Sequence, residues 1–149
     1  MSKRRVAITG VGLVTPIGLD PESTWDALLR GVSGVGPITL FDASDQSVRI
    51  AAEVEGFEPD RYMDPKDARR ADRFLQFAMG AASQCIEQAG FGEGFGDVGS
   101  SRIGTIVGCG IGGLPLLEEQ HKKLLDRGPG RVSPFFLPYF IADMAAGMI

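Results

Sequence analysis

The segment Gly108-Cys109-Gly110-Ile111-Gly112-Gly113 follows an apolar run and precedes a helical one. In that setting Gly-x-Gly-x-x-Gly can cradle a pyrophosphate at a helix N-terminus, which makes a nucleotide-binding α/β domain one reading of the chain. The same chemistry needs a second strand after the helix, with a ribose-binding acid about 20 residues on. Here the helix leads instead into Arg127-Gly128-Pro129-Gly130-Arg131 and a proline-flanked aromatic run. The earlier Gly10-x-Gly12 pair has Thr15-Pro16 where a third glycine would stand. Neither turn has the context of a dinucleotide site.

Thiol and imidazole chemistry has few candidates. Cys85 falls with Ala78, Ala82 and Ala89 on one apolar helical stripe, the place of a packed core thiol. Cys109 sits in the turn after a strand but has no histidine or basic neighbour to lower its pKa, so a structural or pocket-lining role is expected. His121 lies among Glu118, Glu119, Lys122 and Lys123, as on a solvated helix face. One histidine and two distant cysteines exclude a disulfide framework and a four-ligand zinc site; no metal is expected.

Lys66, Arg69, Arg70 and Arg73 fall within about a quarter of a helical circumference at 3.6 residues per turn. Four cations in the first turns of a helix oppose its macrodipole, at about 0.3–1 kcal/mol each. An acidic partner would explain the pattern.

Positioning these groups requires strands alternating with helices. Arg5–Val11 and Arg102–Val107 read as buried strands, with a weaker strand signal at Arg49–Val54. Asp20-Pro21-Glu22 supplies an N-cap and a first turn, and Gly31 a C-terminal cap, for a helix over 21–30 carrying Trp25, Leu28 and Leu29 inward. A long helix is expected from Pro65 to Gly90, its stripe made of Ala71, Phe74, Leu75, Ala78, Ala82, Ile86 and Ala89. Another spans Leu114–Leu125, and a last begins near Pro138 with Ile141, Met144, Ala145 and Met148 on one side.

That last run stops at Ile149 without a polar cap, and the strands lack enough neighbours to cover both faces of a sheet. The expectation is an α/β domain cut inside a helix, with a C-terminal portion lying outside this sequence.

Composition sets the remaining bounds. The 149 residues are 44% hydrophobic and 23% charged, as a globular core requires. A net charge of −4 argues against binding a nucleic-acid backbone. The 21 glycines have no fixed period and mark turns. With no signal-peptide pattern and no run near the ~20 apolar residues that span a bilayer, a cytoplasmic protein without membrane contact is expected.

Val6-Ala7-Ile8-Thr9-Gly10-Val11-Gly12, Gly108 to Gly113, and Val132-Ser133-Pro134-Phe135-Phe136-Leu137-Pro138 resemble, in order and spacing, successive landmarks of the β-ketoacyl synthases. Ser23-Thr24-Trp25-Asp26-Ala27-Leu28-Leu29 and Glu118-Glu119 are similar to the elongating synthase II group of type II fatty acid synthesis. The resemblance implies a thiolase-like fold of two related α/β halves, with residues 1–149 forming most of the first. It implies a cysteine nucleophile and two histidines beyond residue 149, leaving this portion inactive by itself. It places Ile111 as the gate of an acyl tunnel, where a chain gains about 0.8 kcal/mol per buried CH₂. Phe136 and Leu137 would border the tunnel of the partner subunit in a homodimer.

Lys66, Arg69 and Arg70 match docking residues for an acidic acyl carrier protein, and Arg131 matches a second basic contact. There the family pattern has two adjacent cations where this chain has Gly130-Arg131. The implied activity is an acyltransferase working on acyl and malonyl thioesters without a redox cofactor. Two relatives of the same fold remain as alternatives. One is a noncatalytic chain-length-determining subunit of a polyketide synthase; the other is a thiolase acting on coenzyme A esters.

Overall fold

The computed structural model describes residues 4–92, 95 and 98–149. Helix α1 (Pro21–Leu29) begins as its sequence requires: Ser23 N donates to Asp20 Oδ1 at 2.7 Å, with Pro21 in the first turn. It ends in a Schellman motif, Gly31 at φ +66° and Val32 N donating to Ala27 O at 2.9 Å. The buried side of α1 differs from the expected one. Thr24 and Ala27 face inward, whereas Trp25, Leu28 and Leu29 are exposed. The inner face is set by the turn Thr15–Gly18, which packs on Thr24; the two threonine hydroxyls lie 3.2 Å apart.

Strands β1 (Val35–Pro37) and β2 (Ile50–Ala52) pair antiparallel, with Gly36 opposite Ala51. The second lies inside the weak strand signal at Arg49–Val54. Glu53, just after it, accepts from Thr39 Oγ1 at 2.6 Å and from the backbone of Thr39 and Leu40. The Thr39 hydroxyl bond holds the Glu53 carboxyl below its ordinary pKa.

The helix expected from Pro65 to Gly90 is broken into α2 (Pro65–Ala68) and α3 (Arg73–Gln88). Side chains satisfy the groups freed at the break. Asp72 caps α3 by accepting from Phe74 N, while Gln76 Nε2 donates to the carbonyls of Ala68 and Ala71 at 2.8 and 3.2 Å. An aspartate whose side chain competes for nearby backbone N–H groups favours a cap over a helix interior. Across the break the apolar stripe survives: Ala71 and Leu75 are buried, and Phe74 and Ala78 pack beside them.

The two long strands expected at Arg5–Val11 and Arg102–Val107 are not in any ladder. Val6, Ile8 and Ile106 are 96%, 85% and 99% exposed. A sheet strand needs backbone partners, and among the described residues no segment pairs with either one. From Gly10 onward the N-terminal segment is instead bound by side chains of α3. Val11 N donates to Gln88 Oε1 at 2.6 Å, Leu13 N to Gln84 Oε1 at 3.0 Å, and Cys85 Sγ to Gly10 O at 3.3 Å. The approach is close enough to demand glycine: a Cβ on Gly12 would stand 1.8 Å from Ala81 O, and one on Gly10 2.1 Å from Cys85 O.

Helix α4 (Leu114–Arg127) matches its expected position. The last expected helix is divided into α5 (Phe136–Phe140) and α6 (Met144–Met148), with Ile141 extended between them at ψ 140°. Met144, Ala145 and Met148 of the expected stripe do pack on α3, closing a small core around Leu75. No helix among the described residues is long and apolar enough to cross a membrane.

Candidate functional site

The glycine turn before α4 is fastened to two other elements. Gly113 N donates to Phe140 O at the end of α5 at 2.9 Å. Gly112 adopts φ +86°, and a Cβ there would meet the same carbonyl at 2.5 Å. Gly113 in turn lies against Asp72, whose Cβ, Cγ and Oδ2 would each be 3.0–3.1 Å from an added methyl. Gly108 and Gly110 have open space around them.

Asp72 is the residue that sequence reasoning missed. Only 8% exposed, it joins two helix N-termini: one carboxylate oxygen faces Phe74 N of α3 at 3.5 Å, the other accepts from Leu116 N of α4 at 3.0 Å. A cap on α3 is readable from Asp before an amphipathic run. The bond to α4, 44 residues away, carries no local signal. Its consequence for the nucleotide reading is direct. The position where a phosphate would sit on the α4 N-terminus already holds a carboxylate, and Pro115 removes another donor.

The residues expected to line an acyl pocket lie on touching elements. Ile111 projects from the turn bonded to α5, and α5 carries Phe136 and Leu137. Phe136 is half-buried and stacks on Phe140 with centroids 5.2 Å apart. Ile111 and Leu137 are 68% and 59% exposed. Side chains so open do not wall a closed cavity within this chain.

The basic residues are redistributed by the break between α2 and α3. Lys66 is exposed on α2, and Arg69 and Arg70 follow its C-terminal end, where the macrodipole favours cations. Arg73 turns away from them, donating to Val54 O at 2.8 Å and lying over the Phe77 ring at 4.6 Å. The single cationic stripe of four does not survive, and the dipole cost is lifted only for Arg69 and Arg70, since Lys66 and Arg73 still lie in the first turns of α2 and α3. Arg131 is exposed in a 3₁₀ turn (Pro129–Arg131) that packs on α4.

Arg69 and Arg70 share a small cavity of about 170 Å³ with Lys123, Ser133 and Phe136. One expected pocket residue and two expected docking residues therefore meet at one place. Gln120, 4% exposed, fixes its floor by accepting from Ser133 N at 2.8 Å.

Two contacts join α2 to the segment around α5. Tyr139 donates its hydroxyl to Asp67 Oδ1 at 2.7 Å, and the Arg70 guanidinium lies 4.0 Å over the Phe135 ring. Removing the Tyr139 proton would put a second negative charge beside Asp67, so the Asp67 hydrogen bond, with burial, holds the phenol above its usual pKa.

His121 is exposed, as its neighbours indicated. Cys85 is half-buried with its thiol on Gly10 O. Cys109 is half-buried in a cavity of about 370 Å³ with Leu13, Phe74, Val107 and Ala145. Among the described residues no three His, Cys, Asp or Glu side chains are grouped to hold a metal.

Comparison with known proteins gives these elements a family. The chain is 45% identical over 148 residues to 3-oxoacyl-[acyl-carrier-protein] synthase 2 of Synechocystis sp., covering 99% of this chain and 35% of the relative. It is 47% identical over 149 residues to the protein of the same name from Coxiella burnetii, covering all of this chain and 36% of that one. The chain thus spans about a third of the length of these curated relatives. Among solved structures, the ishigamide ketosynthase/chain length factor superposes with a TM-score of 0.79 at 28% identity, over 99% of this chain and 36% of its own. The unladdered extended segments and the helices between them follow the N-terminal part of that thiolase-like ketosynthase fold. With residues 3–149 matching the family model described as the β-ketoacyl synthase N-terminal domain, the chain belongs to the β-ketoacyl synthases.

Proposed function

We propose that this chain is the N-terminal part of a 3-oxoacyl-[acyl-carrier-protein] synthase 2, an elongating acyltransferase. The observation that carries the reading is 44–47% identity along essentially the whole chain to relatives of that name. In the proposed reaction a cysteine thiolate displaces the carrier thiol from an acyl thioester. Malonyl-carrier protein then loses CO₂, and the resulting enolate carbon attacks the acyl-enzyme carbonyl. The new C–C bond forms as the C–S bond to cysteine breaks, giving a β-ketoacyl carrier and the free thiolate. Electrons balance without an oxidant or reductant, so no redox cofactor is needed.

The cysteine and the two histidines that assist decarboxylation have no match within residues 1–149 and are proposed to lie outside them. What this chain contributes is placement. Ile111, Phe136 and Leu137 would complete an apolar acyl pocket with residues outside this chain and, in a homodimer, with the other subunit. The exposure of Ile111 and Leu137 here suits such a shared wall. Lys66, Arg69, Arg70 and Arg131 would receive the acidic carrier, an attraction that raises association rate and weakens with salt. The setting is proposed to be cytoplasmic, with no nucleic-acid partner.

The test is to incubate the intact enzyme with acyl- and malonyl-carrier protein and look by mass spectrometry for a β-ketoacyl carrier two carbons longer than the acyl donor. Absence of that product, with both carriers correctly loaded, would overturn the assignment. A second reading, a noncatalytic chain-length subunit, draws on the ishigamide ketosynthase/chain length factor, whose 28% identity is well below that of the synthase relatives. A residue other than cysteine at the nucleophile position would favour it.

A further inference from the structure

The two contacts between α2 and the segment around α5 do more than fill space. Asp67 and Arg70 flank Arg69, and Tyr139 and Phe135 flank Phe136 and Leu137. The hydrogen bond from Tyr139 to Asp67 spans 72 positions, and the stack of Arg70 on Phe135 joins the same two segments a second time. Each segment is short, α2 having four residues and α5 five, so neither holds its place by its own helical stability. Resting on the carrier and acyl-pocket roles proposed above, we infer that Tyr139 and Phe135 are positioning residues that couple carrier docking to acyl-pocket shape.

The physical basis lies in Arg70. Arg70 is exposed, within reach of an incoming carboxylate, while its guanidinium lies over the Phe135 ring. A partner that draws the guanidinium outward changes its contact with the residue next to Phe136. Asp67, two positions before Arg69, holds α5 from the other side through a charge-assisted bond, the stronger kind of hydrogen bond. The small cavity between Arg69, Arg70 and Phe136 leaves room for such adjustment. Energetic coupling between two binding events is reciprocal, so each site reports on the other.

The experiment uses the intact enzyme and acyl groups of several lengths, with the acyl and malonyl groups presented either both as carrier-bound thioesters or both as carrier-free N-acetylcysteamine thioesters. Tyr139→Phe keeps the ring and removes one hydroxyl. It is expected to lower kcat/KM about tenfold or more with carrier-bound substrates, the loss of a hydrogen bond to a charged group, and at least threefold less with carrier-free ones. Arg70→Ala is expected to change the chain-length preference measured on the carrier-free thioesters, which have no carrier contact to lose. Asp67→Asn, which retains an acceptor for the Tyr139 hydroxyl, should keep most of the carrier-bound rate. An equal loss on both substrate forms for Tyr139→Phe, or an unchanged carrier-free profile for Arg70→Ala, would overturn the coupling while leaving the synthase assignment intact. A wild-type enzyme that turns over neither form refutes that assignment and the coupling with it.

Discussion

Replacing Asp72 with alanine removes one carboxylate from two helix N-termini at once. The contact with Phe74 N is long at 3.5 Å, so its loss belongs at the lower end of the N-cap range, about 0.5–1 kcal/mol. The 3.0 Å bond from Leu116 N is charge-assisted and part-buried, and hydrogen bonds to charged groups contribute about 1.5–3 kcal/mol. Together these predict a destabilisation of about 2–4 kcal/mol for Asp72→Ala. In urea, where m is about 2 kcal/mol/M for a small protein, the unfolding midpoint should fall by about 1–2 M.

Asparagine has one acceptor oxygen, and its NH₂ would face the second N–H, so Asp72→Asn should recover roughly half of the loss. Gly113→Ala supplies an independent check. Its methyl would press on the Asp72 side chain at 3.0–3.1 Å, so it should cost stability in the wild type and less in the Asp72→Ala background. An Asp72→Ala protein within about 0.5 kcal/mol of wild type, or additive costs in the double variant, would refute the bridging role.

Gly12→Ala would place a methyl 1.8 Å from Ala81 O and lift the N-terminal segment off α3, at a cost of about 1–3 kcal/mol; hydrogen exchange should show lost protection at Val11 and Leu13. The Asp20 carboxyl is held below its usual pKa by the Ser23 backbone N–H, so its contribution is present above the unfolded value and disappears as pH falls through the lower folded one. Asp20→Asn should keep the cap and flatten that acid limb in pH-dependent melts, whereas Asp20→Ala should lose about 1 kcal/mol at neutral pH. Tyr139 is shifted upward by Asp67, so its stabilisation is present below the unfolded phenol pKa and lost as pH rises through the folded value. A residue-resolved NMR titration of Tyr139 in the intact enzyme should show it ionising late, and Asp67→Ala should shorten the delay, burial leaving the remainder.

Local chemistry was legible where a few adjacent residues settle the outcome. Asp20-Pro21 and Gly31 bounded α1, the periodic run from Leu114 located α4, and the family resemblance rested on segments whose order runs through the whole chain. These features depend on caps, proline and glycine, whose preferences act within a turn or two. What the sequence could not decide is which surface each element meets. Trp25, Leu28 and Leu29 have the periodicity of an inner face, yet α1 buries Thr24 and Ala27, because the Thr15–Gly18 turn reaches that side.

The run from Pro65 to Gly90 keeps one apolar period through a break at Asp72, because short consecutive helices can continue the same stripe. Only the tertiary structure brings the N-terminus of α4 to Asp72, and with it the closing of the glycine turn to phosphate. The two apolar strands show the converse. Alternation and β-branching state that a segment can join a sheet, but a ladder exists only where another backbone supplies the missing donors and acceptors. Whether Val6, Ile8 and Ile106 are covered is therefore a property of the surrounding fold and not of their own residues.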